Sequence, residues 1–365
     1  MQLQTAFFAS AFPGHLEIEL SQTRIQGVRI AGVSTCVPAR CVDNLDFGKD
    51  FGADEVRKVV SMAGVKRRPV VDAGVTATDL CFAAAVALLE KLNWSADSIT
   101  GLILVTQSPD YVLPSSSALL HRWLGLSDQC ATFDVGQGCS GYPYGLYIAS
   151  TMLKAGGHGR ILMLCGDTPS RFTSPDDHAT SLLFSDAGSA TALELTDAGT
   201  PSTFALHTDG SGSDSLIVRG GGFRDRHPVD PRDNFVRMDG AAVFNFTIKR
   251  VPSLIRDTLA FAGKSVEDID WFFFHQSNRF IMKHLIKKCG LPDERTPVIL
   301  ENFGNCGGPS VALALTQALS SRPPADSTVM LVGYGVGLSW GSALVQLDRH
   351  AVLLHSTFNN PPQQC

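Results

Sequence analysis

The chain has 365 residues, of which 44% are hydrophobic and 18% charged, with a formal net charge of −5. This length suits two domains of roughly 180 residues with a sizeable buried core. The acidic balance argues against nucleic acid or an anionic membrane as a partner. The nine cysteines are odd in number and include no CxxC pair, which argues against a disulfide framework or zinc site and favours a reducing compartment, the cytoplasm.

The N-terminal part of the chain predicts alternating strands and helices. Residues 1–25 show no clear pattern, and no apolar run reaches the length of a membrane span. Residues 28–33 predict a short strand, and 76–92 an amphipathic helix with Asp79 near its start. Further predicted elements are a helix at 55–62, a strand at 101–105, a helix at 115–124, and strands at 161–164, 182–184 and 189–195. This alternation is typical of parallel α/β layers.

The stretch 133–153 contains the strongest chemical signal. Strand-like residues run into several glycines and a helical spacing follows, so Cys139 is predicted at a strand-to-helix turn. N–H groups at a helix start are unpaired and partly positive, so we expect them to lower the thiol pKa and to stabilise an oxyanion. Cys139 is therefore a candidate nucleophile. The alternative is a small buried core cysteine.

Four segments recur in the second half of the chain in the same order. They are VTQS at 105–108 with FHQS at 274–277, VGQGC at 135–139 with NFGNCGG at 302–308, ILMLCG at 161–166 with VMLVG at 329–333, and GSATAL at 188–193 with GSALV at 341–345. The recurrence predicts a duplicated α/β unit. We place its first half at 28–196, its second half at 197–348 and a poorly ordered tail at 349–365.

Three chemically distinctive residues lie at equivalent strand ends of the two halves. If the halves pack with pseudo-twofold symmetry, these ends converge and bring Cys139, His275 and Asn305 together. His275 follows an apolar strand, so we expect a desolvated, neutral imidazole that can donate a hydrogen bond. Taken alone, His275 also fits a core histidine and Asn305 a helix N-cap.

A glycine-rich segment, GYGVGLSWG at 333–341, superficially matches a dinucleotide-binding loop. A predicted strand rather than a helix follows it, so that interpretation fails. Its small residues instead suit a close backbone approach to a reacting carbonyl, with the N–H of Val336 as the candidate donor.

Several of these motifs together resemble the β-ketoacyl-acyl-carrier-protein synthase III family of the thiolase-like superfamily. They are SPDYVLPSSS at 108–117, GCSGYPYGL at 138–146, MDGAAVFNF at 238–246, HQSN at 275–278, NFGNCGGPS at 302–310 and GYGVGLSWGSALV at 333–345. The resemblance runs from about residue 30 to residue 347. It implies an α/β thiolase-like fold, in which two pseudo-twofold-related βαβαβαββ halves form a five-layer αβαβα sandwich.

The resemblance also implies an acyltransferase that performs a decarboxylating Claisen condensation. Cys139 would take the acyl group from an acyl thioester, carried on coenzyme A or an acyl carrier protein. His275 and Asn305 would bind the carbonyl of malonyl carrier protein, and the N–H groups of Cys139 and Val336 would form the oxyanion hole. The product is a β-ketoacyl carrier protein. Neither a metal nor a resident cofactor is expected, because the substrates arrive on coenzyme A or phosphopantetheine.

The sequence departs from the family pattern in places that concern substrates and partners. KVVSMAG at 58–64 replaces the family's adenine-binding segment, which places coenzyme A as acyl donor in question. Leu113 stands where the family often has an aromatic residue that reaches into the partner subunit's acyl channel, which predicts a different, roomier pocket. The family resemblance also implies a homodimer. Leu113 and Tyr334 are the predicted acyl-pocket residues.

Basic residues at helical spacing follow His275. Arg279, Lys283 and Lys287 form the predicted docking face for an acidic carrier protein, although a merely solvated face has the same charge pattern. The alternative activity is transfer of the acyl group from Cys139 to a hydroxyl or amine without decarboxylation. A papain-like hydrolase and a non-catalytic synthase partner fit less well, since the hydrolase signature is missing and the Cys, His and Asn are all present.

Overall fold

A computed structural model describes residues 22–197, 199–322 and 325–359. The helices are α1 (Gly48–Phe51), α2 (Ala53–Ala63), α3 (Ala77–Leu92), α4 (Ser116–Trp123), α5 (Gly141–Ala155), α6 (His178–Ser181), α7 (Gly240–Ala262), α8 (Arg279–Cys289), α9 (Leu300–Phe303) and α10 (Ser310–Leu319). The strands are β1 (Gln22–Ile25), β2 (Val28–Pro38), β3 (Cys41–Asp43), β4 (Arg67–Pro69), β5 (Gly101–Val105), β6 (Ala131–Val135), β7 (Arg160–Asp167), β8 (Ala187–Leu195), β9 (Ser202–Thr208), β10 (Leu216–Ile217), β11 (Arg237–Met238), β12 (Trp271–Phe274), β13 (Ser327–Gly335), β14 (Ser339–Leu347) and β15 (Val352–Phe358).

The first large sheet has the strand order β15-β2-β8-β7-β5-β6. β5 runs parallel to both β6 and β7, so the carboxyl ends of these three strands open onto one edge of the sheet. In the register, Val105 pairs with Val135 on one side and with Cys165 on the other. The turn that carries Cys139 therefore begins at the end of β6, beside the end of β5.

The second large sheet has the order β1-β9-β14-β13-β12, which repeats the arrangement of the first. β12 and β13 run parallel, with Phe274 opposite Val332, so His275 leaves the sheet next to the end of β13. Within the described part of this half, no strand matches β6. The corresponding segment contains Pro292 and Pro297, whose ring nitrogens cannot donate to a ladder, and it runs as irregular chain.

Helices cover both sheets and fill the space between them. α3 packs on the outer face of the first sheet through Leu80, Leu88 and neighbouring alanines, and α7 and α8 pack on the outer face of the second. α5 and α10 lie between the sheets, where Leu146 and Leu315 share one apolar cluster with inward residues of both. The predicted five-layer αβαβα sandwich is thereby confirmed. The strands are apolar on both faces because both faces are covered.

Two predictions about secondary structure are wrong. The tail predicted at 349–365 to be poorly ordered includes β15, which pairs with β2 over Val352 to Phe358; residues 360–365 lie outside the described residues. The strand predicted at 182–184 is instead a turn with one bridge, between Phe184 and Asn305. No helix among residues 22–197, 199–322 and 325–359 has both the length and the apolar character needed to cross a membrane.

Candidate active site

Cys139 lies where predicted, between the end of β6 and the start of α5. Its side chain is buried and lines a cavity of about 510 Å³. A Cβ atom built on Gly335 would lie 2.8 Å from the Cys139 sulfur, so only glycine allows the end of β13 to approach this closely. That approach brings the neighbouring Val336 N–H toward the Cys139 side chain, where it acts to lower the pKa of the thiol.

The prediction of a lowered thiol pKa is wrong. Burial raises the pKa of Cys139 to about 11, because the surrounding protein solvates a thiolate less well than water does. The backbone N–H groups of Val336 and of Cys139 itself act in the opposite direction, and the nearby Asp167 carboxylate adds to the rise. Both N–H groups nevertheless face the Cys139 side chain, so two backbone donors lie beside the candidate nucleophile.

His275 is buried directly after β12, and its backbone N–H donates to Val332 O at 2.8 Å. Burial lowers the pKa of its imidazole to about 4, with the Gly307 carbonyl opposing the shift, so the predicted neutral histidine is confirmed. Its Nδ1 lies 2.8 Å from Ser310 Oγ and 3.1 Å from Gly307 O. The ring also packs edge-on against Tyr334, at a centroid distance of 5.6 Å.

Asn305 is also buried, and its contacts exclude the N-cap interpretation. α10 begins only at Ser310. The Gly307 N–H donates to Asn305 Oδ1 at 3.0 Å, and Asn305 Nδ2 donates to Ser277 O at 3.2 Å. These partners fix which end of the amide is oxygen and which is nitrogen, and leave the second Nδ2 hydrogen for another acceptor.

The structure brings the three predicted residues to one place. Cys139 and Gly307 line the same cavity, and both His275 and Asn305 contact Gly307. The backbone of Asn305 is clamped by the first half, since its N–H donates to Leu183 O at 3.0 Å and its carbonyl accepts from Ser185 N–H at 2.9 Å. The pseudo-twofold convergence inferred from the repeat therefore holds in the fold.

The two predicted acyl-pocket residues do not line this cavity. Tyr334 is fully buried behind it, with its hydroxyl 3.0 Å from Ser277 Oγ. Leu113 is 79% exposed on the loop after β5, next to the exposed Tyr111 and Val112. The cavity wall is instead formed by residues that the sequence analysis did not single out, among them Gln107, Asp167, Phe172, Phe184, Leu216, Ile217 and Val236.

The predicted docking residues differ in their surroundings. Lys283 and Lys287 are exposed on one face of α8, whereas Arg279 is half-buried and donates to Gly64 O at 3.3 Å. Arg279 thus ties α8 to the end of α2. On α2, Lys58 is exposed and paired loosely with Glu55, and Met62 is 57% exposed.

Sequence and structure comparisons agree with this architecture. Residues 133–210 match the family model for 3-oxoacyl-[acyl-carrier-protein] synthase III, and residues 259–347 match the model for its C-terminal part. The β-ketoacyl-[acyl-carrier-protein] synthase III of Syntrophomonas wolfei is 32% identical over 88% of this chain and 98% of the relative. The chain belongs to the 3-oxoacyl-acyl-carrier-protein synthase III family.

Two further comparisons support this assignment. The enzyme of the same name from Rhodopirellula baltica is 31% identical over 88% of this chain and 98% of the relative. The crystal structure of a 3-oxoacyl-(acyl-carrier protein) synthase from Burkholderia xenovorans superimposes with a TM-score of 0.89 at 41% identity, over 92% of this chain and 99% of that one. The thiolase-like fold and the assignment as an acyltransferase of this family are thus confirmed.

Proposed function

We propose that this synthase III family member condenses an acyl group, held on Cys139, with a malonyl thioester carried by an acyl carrier protein. The observation that supports it most directly is the shared cavity. Cys139 and two backbone donors lie in it, and both His275 and Asn305 contact the backbone of Gly307 in its wall. A nucleophile with an oxyanion hole serves acyl transfer, and neutral donors serve enolate formation.

In the first step, Cys139 sulfur attacks the carbonyl carbon of the acyl thioester. The developing oxyanion accepts hydrogen bonds from the N–H groups of Cys139 and Val336. The carbonyl re-forms, the carbon–sulfur bond of the donor breaks, and the departing thiolate takes the proton that Cys139 has lost. The products are acyl-Cys139 and a free thiol.

In the second step, the malonyl thioester loses CO₂, and the electron pair of the broken carbon–carbon bond forms an enolate. His275 and Asn305 stabilise the enolate oxygen as neutral donors, and no base is needed because no proton is removed. Asn305 uses its second Nδ2 hydrogen. His275 uses Nε2–H. In that tautomer Nδ1 accepts from the Ser310 hydroxyl 2.8 Å away, and this hydroxyl then gives up its bond to Gly307 O at 2.7 Å. The enolate carbon attacks the carbonyl carbon of acyl-Cys139, the carbon–sulfur bond to Cys139 breaks, and the released thiolate takes a proton from water. The products are a β-ketoacyl thioester and the free cysteine.

The side chains of the cavity wall and of helix α2 indicate which substrate fits. Phe172, Phe184 and several aliphatic side chains give the cavity an apolar wall suited to an acyl chain. Lys58 and Met62 on α2 offer no aromatic face or guanidinium for an adenine. We therefore favour an acyl group delivered by an acyl carrier protein rather than by coenzyme A, with Lys283 and Lys287 contacting the acidic carrier protein. No resident cofactor enters either step.

The proposal includes a homodimer in the cytoplasm. Among the residues that the structure describes, β6 ends the first sheet with one side unpaired, and an open strand edge readily pairs with a second copy. The exposed apolar side chains of Tyr111, Val112 and Leu113 lie on the loop between β5 and α4, and burial at an interface would remove them from water. The described cysteines are free thiols, which fits a reducing compartment.

The deciding experiment combines intact mass with detection of CO₂. Incubation with a panel of acyl carrier proteins should add one acyl mass to the wild type and none to Cys139→Ala. Malonyl carrier protein should then release CO₂ and restore the unmodified mass. Equal acylation of the alanine variant would contradict the role of Cys139. An ester or amide product without CO₂ would replace condensation by simple acyl transfer.

A further inference from the structure

Asp167 is a buried carboxylate beside the nucleophile that neither proposed step uses. It is the last residue of β7, is 3% exposed, and lines the same cavity as Cys139. No basic side chain lies among its hydrogen-bond partners in the described structure. Burying a carboxylate in such a place costs free energy unless hydrogen bonds compensate for the lost water.

All the hydrogen-bond partners of Asp167 are donors. Oδ1 accepts from Gln107 N–H at 2.8 Å, Thr106 Oγ1 at 3.3 Å and Ser108 Oγ at 3.4 Å. Oδ2 accepts from Gly308 N–H at 3.2 Å. The backbone N–H groups of Gln107 and Gly308 can only donate, and they reach different oxygens of the carboxyl group. This environment therefore suits the ionised carboxylate, which accepts on both oxygens.

The Gly308 contact connects Asp167 to the two donors of the second half. Gly308 follows Gly307, whose N–H binds Asn305 Oδ1 and whose carbonyl contacts His275 Nδ1. The fit is tight, since a Cβ atom on Gly307 would lie 2.8 Å from Asp167 Oδ2. Asp167 therefore joins the end of β5 to the turn that holds both donors.

We propose that ionised Asp167 is a positioning residue for the condensation step. By holding the Gly308 amide, it keeps His275 and Asn305 aligned with the substrate carbonyl. It has no such part in acylation, for which the hydrogen-bond donors are the N–H groups of Cys139 and Val336. Its charge even opposes formation of the Cys139 thiolate. This inference rests on the proposed function.

The proposal has a direct consequence for pH dependence. Burial raises the pKa of Asp167 to about 7, with its four hydrogen bonds opposing the shift. The titratable groups around it are the thiols of Cys81, Cys139, Cys165 and Cys306, whose pKa values burial raises, and the His275 imidazole on the linked turn, whose pKa burial lowers to about 4. None of these titrates near neutrality. Condensation should therefore be fast above pH 7 and slow as the pH falls through it.

The test uses enzyme already acylated on Cys139, mixed with malonyl carrier protein, with CO₂ release followed over one turnover. Acyl-Cys139 carries no thiol proton, so an apparent pKa near 7 in the wild-type rate reports Asp167. In Asp167→Asn the titration should disappear and the rate at pH 8 should fall about 100-fold, as for a small misplacement of catalytic groups. Acylation of the same variant, followed by intact mass, should be unchanged or faster.

Asp186→Asn is the matched control. Asp186 is 1% exposed and accepts from Val71 N–H and from Ser170, but it does not line the cavity. Loss of this carboxylate should lower thermal stability and leave the ratio of condensation to acylation unchanged.

Three outcomes separate the hypotheses. Equal slowing of both half-reactions in Asp167→Asn would overturn the role of Asp167. If that variant does not fold, a pH-independent rate of the wild-type acyl-enzyme between pH 6 and pH 8 would overturn it instead. Failure of the wild type to form an acyl adduct, or to release CO₂, would contradict the proposed function itself.

Discussion

The two halves of the molecule place turns of different chemistry at equivalent strand ends. The turn after β6 carries Cys139 and leads into α5, whereas the turn before α10 carries Asn305. The two turns nearly touch, because a Cβ on Gly308 would lie 3.0 Å from Gly138 O. In the proposed reaction, one half thus supplies the nucleophile and the other the neutral donors. The two proposed half-reactions use separate groups around one cavity, so each variant below should affect mainly one of them.

The largest separation is expected for Asn305→Ala. Loss of the Nδ2 donor should slow condensation about 10²- to 10³-fold, as for removal of one oxyanion donor, with acylation of Cys139 little changed. Rapid mixing with malonyl carrier protein measures the first rate and intact mass the second. Asn302→Ala, which removes an exposed amide bonded to Arg67, is the control and should leave both rates unchanged.

Gly138→Ala should have the opposite selectivity. Its Cβ would lie 2.7 Å from Val336 Cγ1 and 2.1 Å from Gln107 Oε1, so it displaces the residue that donates to the oxyanion. Acylation should fall about 100-fold. Gly136→Ala is a control in the same turn, since no atom of the described residues beyond its chain neighbours lies within 4 Å of its Cβ position. Full acylation activity in Gly138→Ala would mean that the Val336 N–H does not matter for this step.

Gly307→Ala tests the turn of the second half. Gly307 has φ +72°, and its Cβ would press on Asp167, so the turn must shift and carry Asn305 with it. We expect condensation to fall about 30-fold while acylation stays within threefold. Gly290→Ala has a similar φ of +64° but open space around its Cβ, and it separates backbone strain from displacement. Similar condensation rates in the two variants would exclude displacement as the cause.

The pH dependence of alkylation shows whether burial or the backbone donors dominate the pKa of the Cys139 thiol. With a thiol pKa near 11, the rate of Cys139 modification by iodoacetamide should rise roughly tenfold per pH unit from pH 6 to pH 9, as the thiolate fraction does. Loss of modified mass in Cys139→Ala identifies the site. A plateau beginning near pH 7 would show that the backbone donors outweigh burial.

The smallest effect is expected on the surface of α8. Lys283→Glu should raise the KM for malonyl carrier protein severalfold, and the effect should shrink as salt screens the charges. Lys91→Glu makes the same charge change at the end of α3 and should leave the KM unchanged. An equal response in both variants would assign the effect to net charge rather than to docking on Lys283.

The repeat made the geometry of the candidate site predictable from the sequence. The recurring strand ends were enough to place Cys139, His275 and Asn305 together, because equivalent turns of a duplicated sheet must meet where the halves join. The apolar run before His275 also predicted its neutral state, since desolvation is the dominant influence on a buried imidazole.

Other features depend on contacts that local patterns do not reveal. The pKa of Cys139 depends on how deeply the turn is buried, which outweighs the helix-start amides visible in the sequence. Asp167 reads as the first polar residue of a loop, and only the fold shows that it binds Gly308, 141 residues further on. The strand at 352–358 pairs with residues more than 300 positions earlier, and the nearby prolines suggested disorder instead.

Each large sheet takes one edge strand from the opposite end of the chain. β1, from the N-terminal end, adds to β9 of the second sheet, and β15, from the C-terminal end, adds to β2 of the first. The second contact is close, since a Cβ on Gly32 would lie 2.7 Å from Val352 O. To unfold alone, either half would have to give up an outer strand supplied by the opposite terminus. The two halves therefore form a single cooperative unit. Detachment of a terminal strand destabilises the half at the opposite end of the chain, not the half that follows or precedes it in sequence.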